Sequence, residues 1–206
     1  LLTNDSDELN SRISQYVQKG KYQVKEATEG APRYYRFQKP EDEMCPEIIE
    51  IFARNEQQIE LLDGQYVIPV QNDSVAKISA ILLDEEYFAL TKANSQQVAS
   101  GGSIVNALGN ICLKARAHRE LSDRKANGES VDDKDIRKHR NDILRLAVSL
   151  TGQERLTLGP ISKTDLELAM TELRAMPAKQ FKQLMEDYPG SSQTELLRLI
   201  REVFSI

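Results

Sequence analysis

The chain has 206 residues, 40% hydrophobic and 29% charged, which is enough to bury a core and ordinary for a globular protein. The net charge of −5 argues against general coating of nucleic acid. No apolar run approaches the roughly 20 residues of a membrane span, and the opening Leu1-Leu2-Thr3-Asn4-Asp5 has neither the basic nor the apolar segment of a signal peptide, so a cytoplasmic location with no membrane partner is expected.

In chain order, Asp5 to Lys19 is predicted as a helix on the spacing of Leu9, Ile13 and Val17, with Gly20 as its stop. Four β-like runs follow: Tyr22 to Lys25, Tyr34 to Phe37, Ile48 to Ala53 and Tyr66 to Val70. Turn signals at Glu29-Gly30-Ala31-Pro32, Lys39-Pro40 and Asp63-Gly64 divide them. Lys77 to Leu90 is apolar without a clean period. From about Asn106 helices take over: one to Lys125 ended by Gly128, and one from Asp133 to Leu150 with Ile136, Ile143, Leu144 and Ala147 inward. Three more follow: Thr164 to Met176 behind a Ser162/Asp165 capping box, Ala178 to Asp187, and Ser192 to Phe204 behind a Ser192/Glu195 capping box. The expectation is an α+β fold, with residues 1–103 an α/β region holding a mixed or antiparallel sheet and residues 104–206 all helical.

Candidate chemistry centres on the stretch from Lys114 to Arg145. It holds both histidines and carries 10 Lys/Arg against 7 Asp/Glu, a local balance of +3 in an acidic chain. A positive island of this kind points to a local anion site. Within it, Asp135, His139 and Asp142 are four and three residues apart and share a helical face, where His139 and Asp142 could pair or hold a divalent metal; an N-terminal charge cluster is the commoner outcome. Lys114 is either a cation over a triphosphate or a lysine whose stem covers apolar surface, and composition favours the latter. Glu50, between Ile48 and Phe52 on one face of a strand, must be paired, exposed at an edge or bound to metal. An edge or cross-strand salt bridge is the favoured outcome. Asp5-Ser6-Asp7 and Asp133-Lys134-Asp135 read as helix starts, and Gly101-Gly102-Ser103 as a flexible turn, since no Gly-Lys-Ser/Thr follows. Cys45 and Cys112 are expected to be reduced thiols, and the absence of CxxC and HExxH makes a structural zinc site unlikely.

Six segments in order carry a family resemblance: Tyr35-Arg36-Phe37; Pro46 to Arg54; Ile78 to Asp84; Leu113-Lys114-Ala115-Arg116-Ala117; Arg124-Lys125-Ala126-Asn127-Gly128-Glu129; and Lys134 to Asp142. Together they resemble bacterial nucleotidyltransferase-like proteins related to the AbiEii toxins of abortive-infection systems, over roughly residues 1–150. The resemblance implies a polymerase-β-type nucleotidyltransferase sheet with flanking helices. It also implies transfer of a nucleoside monophosphate from an NTP to a hydroxyl of RNA, protein or a small molecule, and an antitoxin partner. By position in the family motifs, Glu50 matches the third metal-binding carboxylate, Lys114 the phosphate-contacting lysine and Asp135 the acid of the following motif. Arg54, Lys138 and Asp142 transfer more weakly. Two Mg²⁺ ions held by three carboxylates are the family's device. Its Gly-Ser turn and strand Asp-x-Asp belong just before a run like Leu1-Leu2 and are missing from the sequence, so a longer natural protein is expected and the chain alone is expected to be inactive. The alternative is a non-catalytic nucleotide-binding or protein-interaction module of a toxin–antitoxin-like system.

Overall fold

The computed structural model describes residues 2–3, 7–26, 32–54, 67–70, 78–97 and 103–206. The fold is α+β, with strands concentrated in the first half and a C-terminal half that is mostly helix. Two compact units, Leu1–Phe88 and Ala89–Ile206, divide the chain.

The first unit contains β1 (Leu2–Thr3), α1 (Asp7–Lys19), β2 (Gln23–Glu26), β3 (Pro32–Gln38), β4 (Ile48–Glu50), β5 (Phe52–Arg54), β6 (Val67–Val70) and β7 (Ile78–Leu83). A helix, α2 (Glu85–Ala93), spans the boundary. One sheet is mixed, in the order β1-β5-β7-β6, with β5 parallel to β1 and β7 and β6 antiparallel to β7. The other is the antiparallel sheet β2-β3-β4. Ile13 of α1 is buried in a cluster with Tyr22, Phe37, Ile49 and Ile51, and half-buried Val17 packs against it, so the helical stripe read from the sequence is the one that faces the core.

The helix stop uses its residues differently from the expectation. Lys21 N–H reaches Gln18 O and Tyr22 N–H reaches Val17 O, the paired bonds of a Schellman turn. The left-handed residue is Lys21 (φ 51°), not Gly20. Gly20 is small for another reason: a Cβ there would lie 2.6 Å from the Tyr22 ring.

The run Ile48 to Ala53, expected as one strand, is two. Fully buried Ile51 stands between β4, at the edge of the antiparallel sheet, and β5, inside the mixed one. Glu50 and Phe52 therefore belong to different sheets; period-two alternation holds only while a strand stays in one sheet. Lys77 to Leu90 resolves into β7 and the start of α2. β7 is hydrogen-bonded on both sides, which suits a continuous apolar run. Asp84 then starts α2 by accepting the Tyr87 N–H at 2.9 Å.

The second unit holds an antiparallel pair, β8 (Ser95–Gln97) and β9 (Ser103–Val105), then α3 (Ala107–Ala126), α4 (Asp133–Ala147), α5 (Pro160–Arg174), α6 (Ala178–Leu184) and α7 (Gln193–Phe204). Helix α3 packs on α4 and α5, and α7 packs on the same two. Ile111, Ala115, Ile143, Leu144, Leu166, Leu173, Ile200 and Val203 are all fully buried. Asn106 caps α3 by accepting the Gly109 N–H at 3.0 Å, and its own N–H reaches Asn94 O at 2.8 Å. Gly128, with φ +88°, ends α3 in a second Schellman turn, in which the Glu129 N–H reaches Arg124 O. The Ser192 cap of α7 is present.

The Ser162/Asp165 capping box is not. Helix α5 begins earlier, at Pro160, with Gly159 as its cap, so both residues lie inside the helix and both are fully buried. Proline at the first helical position needs no N–H and starts the helix ahead of the apparent box.

Candidate functional site

Lys114 sits about two turns into α3, on the side packed against α4. Its ammonium Nζ is 3.2 Å from Asp142 Oδ2, and Asp142 Oδ1 accepts from Arg145 Nη1 at 3.1 Å. The Lys114 side chain is 30% exposed and that of Asp142 19%, so the pair is reachable from solvent without being fully hydrated.

His139 lies one turn before Asp142 on the same helix. It does not pair with Asp142: its Nδ1 is buried and has no hydrogen-bond partner, because Asp142 takes Lys114 and Arg145 instead. Burial, then the charge of Lys114, push the imidazole down from 6.5 to about 4, against the opposing pull of Asp142. His139 is thus neutral at pH 7, and Lys114, Arg145 and Asp142 leave a local charge of +1.

Asp135 is exposed in the first turn of α4, where Asp132 caps the helix by accepting the Lys134 N–H at 2.8 Å. Seven residues of helical rise place Asp135 about 10 Å along the axis from Asp142. The carboxylate that meets Lys114 is Asp142. Lys138 is exposed on α4.

Glu50 is in the first unit, on β4. It sits directly opposite Arg36 of β3, and Arg36 Nη1 donates to Glu50 Oε1 at 2.9 Å. This is the cross-strand salt bridge that strand spacing favoured. Arg54 closes β5, and its side chain lies outside the described residues, as do Gly101 and Gly102. Among the described residues no group of three or more His, Cys, Asp or Glu is placed to hold a metal ion. Of the three carboxylates that the resemblance implies for a magnesium site, the one matched here, Glu50, is paired with Arg36.

A second charged constellation ties α3 to α5. Asp165 is fully buried on α5 and meets Arg119 Nη1 at 2.7 Å and Arg116 Nη1 at 3.5 Å. The hydrogen bond to Asp165, more than burial, sets Arg119, raising its pKa further. Nearby, buried His118 has Nδ1 3.3 Å from the Ile136 carbonyl and Nε2 3.2 Å from Glu172 Oε1, the latter without hydrogen-bond alignment. Glu172 also accepts from Arg140 Nη1 at 3.2 Å. Sequence reasoning placed Asp165 at a cap and missed this network. The available signal was its spacing from Leu166, Ala169 and Leu173: a carboxylate on an apolar stripe requires a cation.

Comparison of the chain with protein-family models, curated proteins and solved structures finds no match.

Proposed function

We propose that the Lys114–Asp142 cluster binds the phosphates of a nucleoside triphosphate, within a nucleotidyltransferase that moves a nucleoside monophosphate to a hydroxyl of an RNA or protein acceptor. The observation that supports this reading is the convergence of the two ends of the positive stretch, with Lys114 of α3 and Arg145 of α4 both meeting Asp142 at a partly exposed surface. An ammonium has three donors. Asp142 occupies one direction, which leaves the rest for phosphate oxygens. Because His139 is neutral, it adds no charge and serves as a polar wall whose Nδ1 still lacks a partner.

These residues bind and orient phosphates; alignment and charge neutralisation of the transferring group need more than they supply. The ion pairing of Glu50 with Arg36 favours a second reading, nucleotide binding without turnover in a toxin–antitoxin-like module. Calorimetric titration of the four NTPs, with and without magnesium, tests both. Lys114→Ala is expected to weaken binding roughly tenfold or more, the loss of a charge-assisted contact. Unchanged affinity in that variant overturns the site. Lys114-dependent binding with no transfer of labelled nucleotide to RNA or protein selects the second reading.

A further inference from the structure

We propose that Asp142 is an internal counterion that competes with the incoming phosphate for Lys114, so that the site admits polyanions and turns away singly charged anions. The inference rests on the phosphate-binding reading above and adds a selectivity to it.

The geometry carries it in three steps. Asp142 bridges the two cations of the cluster, with Oδ2 3.2 Å from Lys114 Nζ and Oδ1 3.1 Å from Arg145 Nη1. Its carboxylate therefore already neutralises half of the positive charge that an anion would meet. A ligand must outbid a carboxylate held on both oxygens, and a monoanion has no electrostatic advantage over it. A di- or triphosphate does, since it brings several charges and several acceptor oxygens to the same ammonium. Second, Arg145 is available to receive what Lys114 releases. It stands three residues along α4, is 45% exposed and already holds the other oxygen, so Asp142 can swing toward Arg145 without being left alone. Third, the remaining group at the cluster, His139, is neutral and half-buried and cannot take over as counterion to Asp142 at neutral pH. The exchange is thus confined to Lys114, Asp142 and Arg145. No covalent step is involved.

The test is Asp142→Asn, which keeps the shape and deletes the charge. Affinity is measured by calorimetry at about pH 6, where inorganic phosphate is mainly singly charged and ATP is not, for both ligands at two salt concentrations, beside Lys114→Ala and the double variant. The expected result is about fivefold tighter ATP binding in Asp142→Asn, the value of one half-exposed ion pair. A larger relative gain is expected for inorganic phosphate, and both gains should vanish in the double variant. Asp142→Ser provides the same charge deletion with a smaller side chain, and thermal melting of each variant confirms that it is folded. Lys114-dependent ATP binding in the wild type that stays equal or weakens in both Asp142 variants overturns the counterion proposal and leaves the binding reading standing. Binding seen only after the charge is deleted also overturns the proposal, because the wild-type site then admits no polyanion. No Lys114-dependent binding in any variant removes both.

Discussion

The Asp165 clamp provides an asymmetry that can be measured. Asp165 is 0% exposed, whereas Arg116 and Arg119 are 28% and 35% exposed and each holds another carboxylate: Glu120 at 2.7 Å and Asp123 at 3.3 Å. Removing the acid and removing the base are therefore unequal. In Asp165→Leu the two guanidinium groups keep their helical partners and their water, and leucine continues an apolar stripe, so the cost is about 1–2 kcal/mol. In Arg119→Met a fully buried carboxylate loses its short ion pair and is left against Arg116 at 3.5 Å, so the cost is about 3–5 kcal/mol. For a chain of this size each kcal/mol moves the melting midpoint by about 2–4 °C. Urea unfolding followed by circular dichroism at the helical minimum, supported by thermal melts, reads both variants. A loss in Arg119→Met no larger than that in Asp165→Leu would falsify the view that burial of the acid, rather than the pair as such, governs the clamp.

Gly109→Ala is expected to destabilise by about 1–3 kcal/mol in urea despite the higher helix propensity of alanine, because its Cβ would lie 2.7 Å from Val105 Cγ1 and 2.9 Å from Asn94 Cβ. Lys21→Gly should gain up to about 1 kcal/mol by relieving the left-handed backbone at φ 51°, the exposed Lys21–Glu41 pair being a smaller loss. A gain that survives in Lys21→Ala instead would refute the strain. The folded pKa of His139 is depressed below its unfolded value, so its contribution to stability is present above pH 6.5, falls as pH drops toward about 4, and is flat below that. The swing between those limits is about 3 kcal/mol, at roughly 1.4 kcal/mol per pH unit. A proton-resonance titration should place the His139 midpoint near 4, and His139→Gln should flatten the stability curve between pH 6.5 and 4; a midpoint near 6.5 rules out the burial.

Much of the helical half is legible from local pattern. The α7 stripe and the Ser192 cap depend on neighbours within one or two turns, and so does the Gly128 stop, so a 3.6-residue period and a capping residue suffice. The same logic misfires at Ser162 and Asp165, where capping-box spacing coincides with the buried face of a helix that starts at Pro160. Spacing alone cannot distinguish a carboxylate that meets backbone N–H groups from one that meets two arginines 46 and 49 residues away. In the sheets, alternation located the strands but not the change of sheet at Ile51, because the pattern records burial and not which sheet provides it.

For the candidate site, the make-up of the positive stretch, the helices that carry it and the shared face of His139 and Asp142 can be read directly from the chain. Those follow from charge count and helical period. Packing was needed to pair Lys114 with Asp142 while Asp135 stands at the helix start, to give Glu50 to Arg36, and to make Asp165 the buried anchor between α3 and α5. An ion pair depends on the distance between elements far apart in sequence, and on how much water is left around them once they pack. Neither quantity exists until the helices and strands have met.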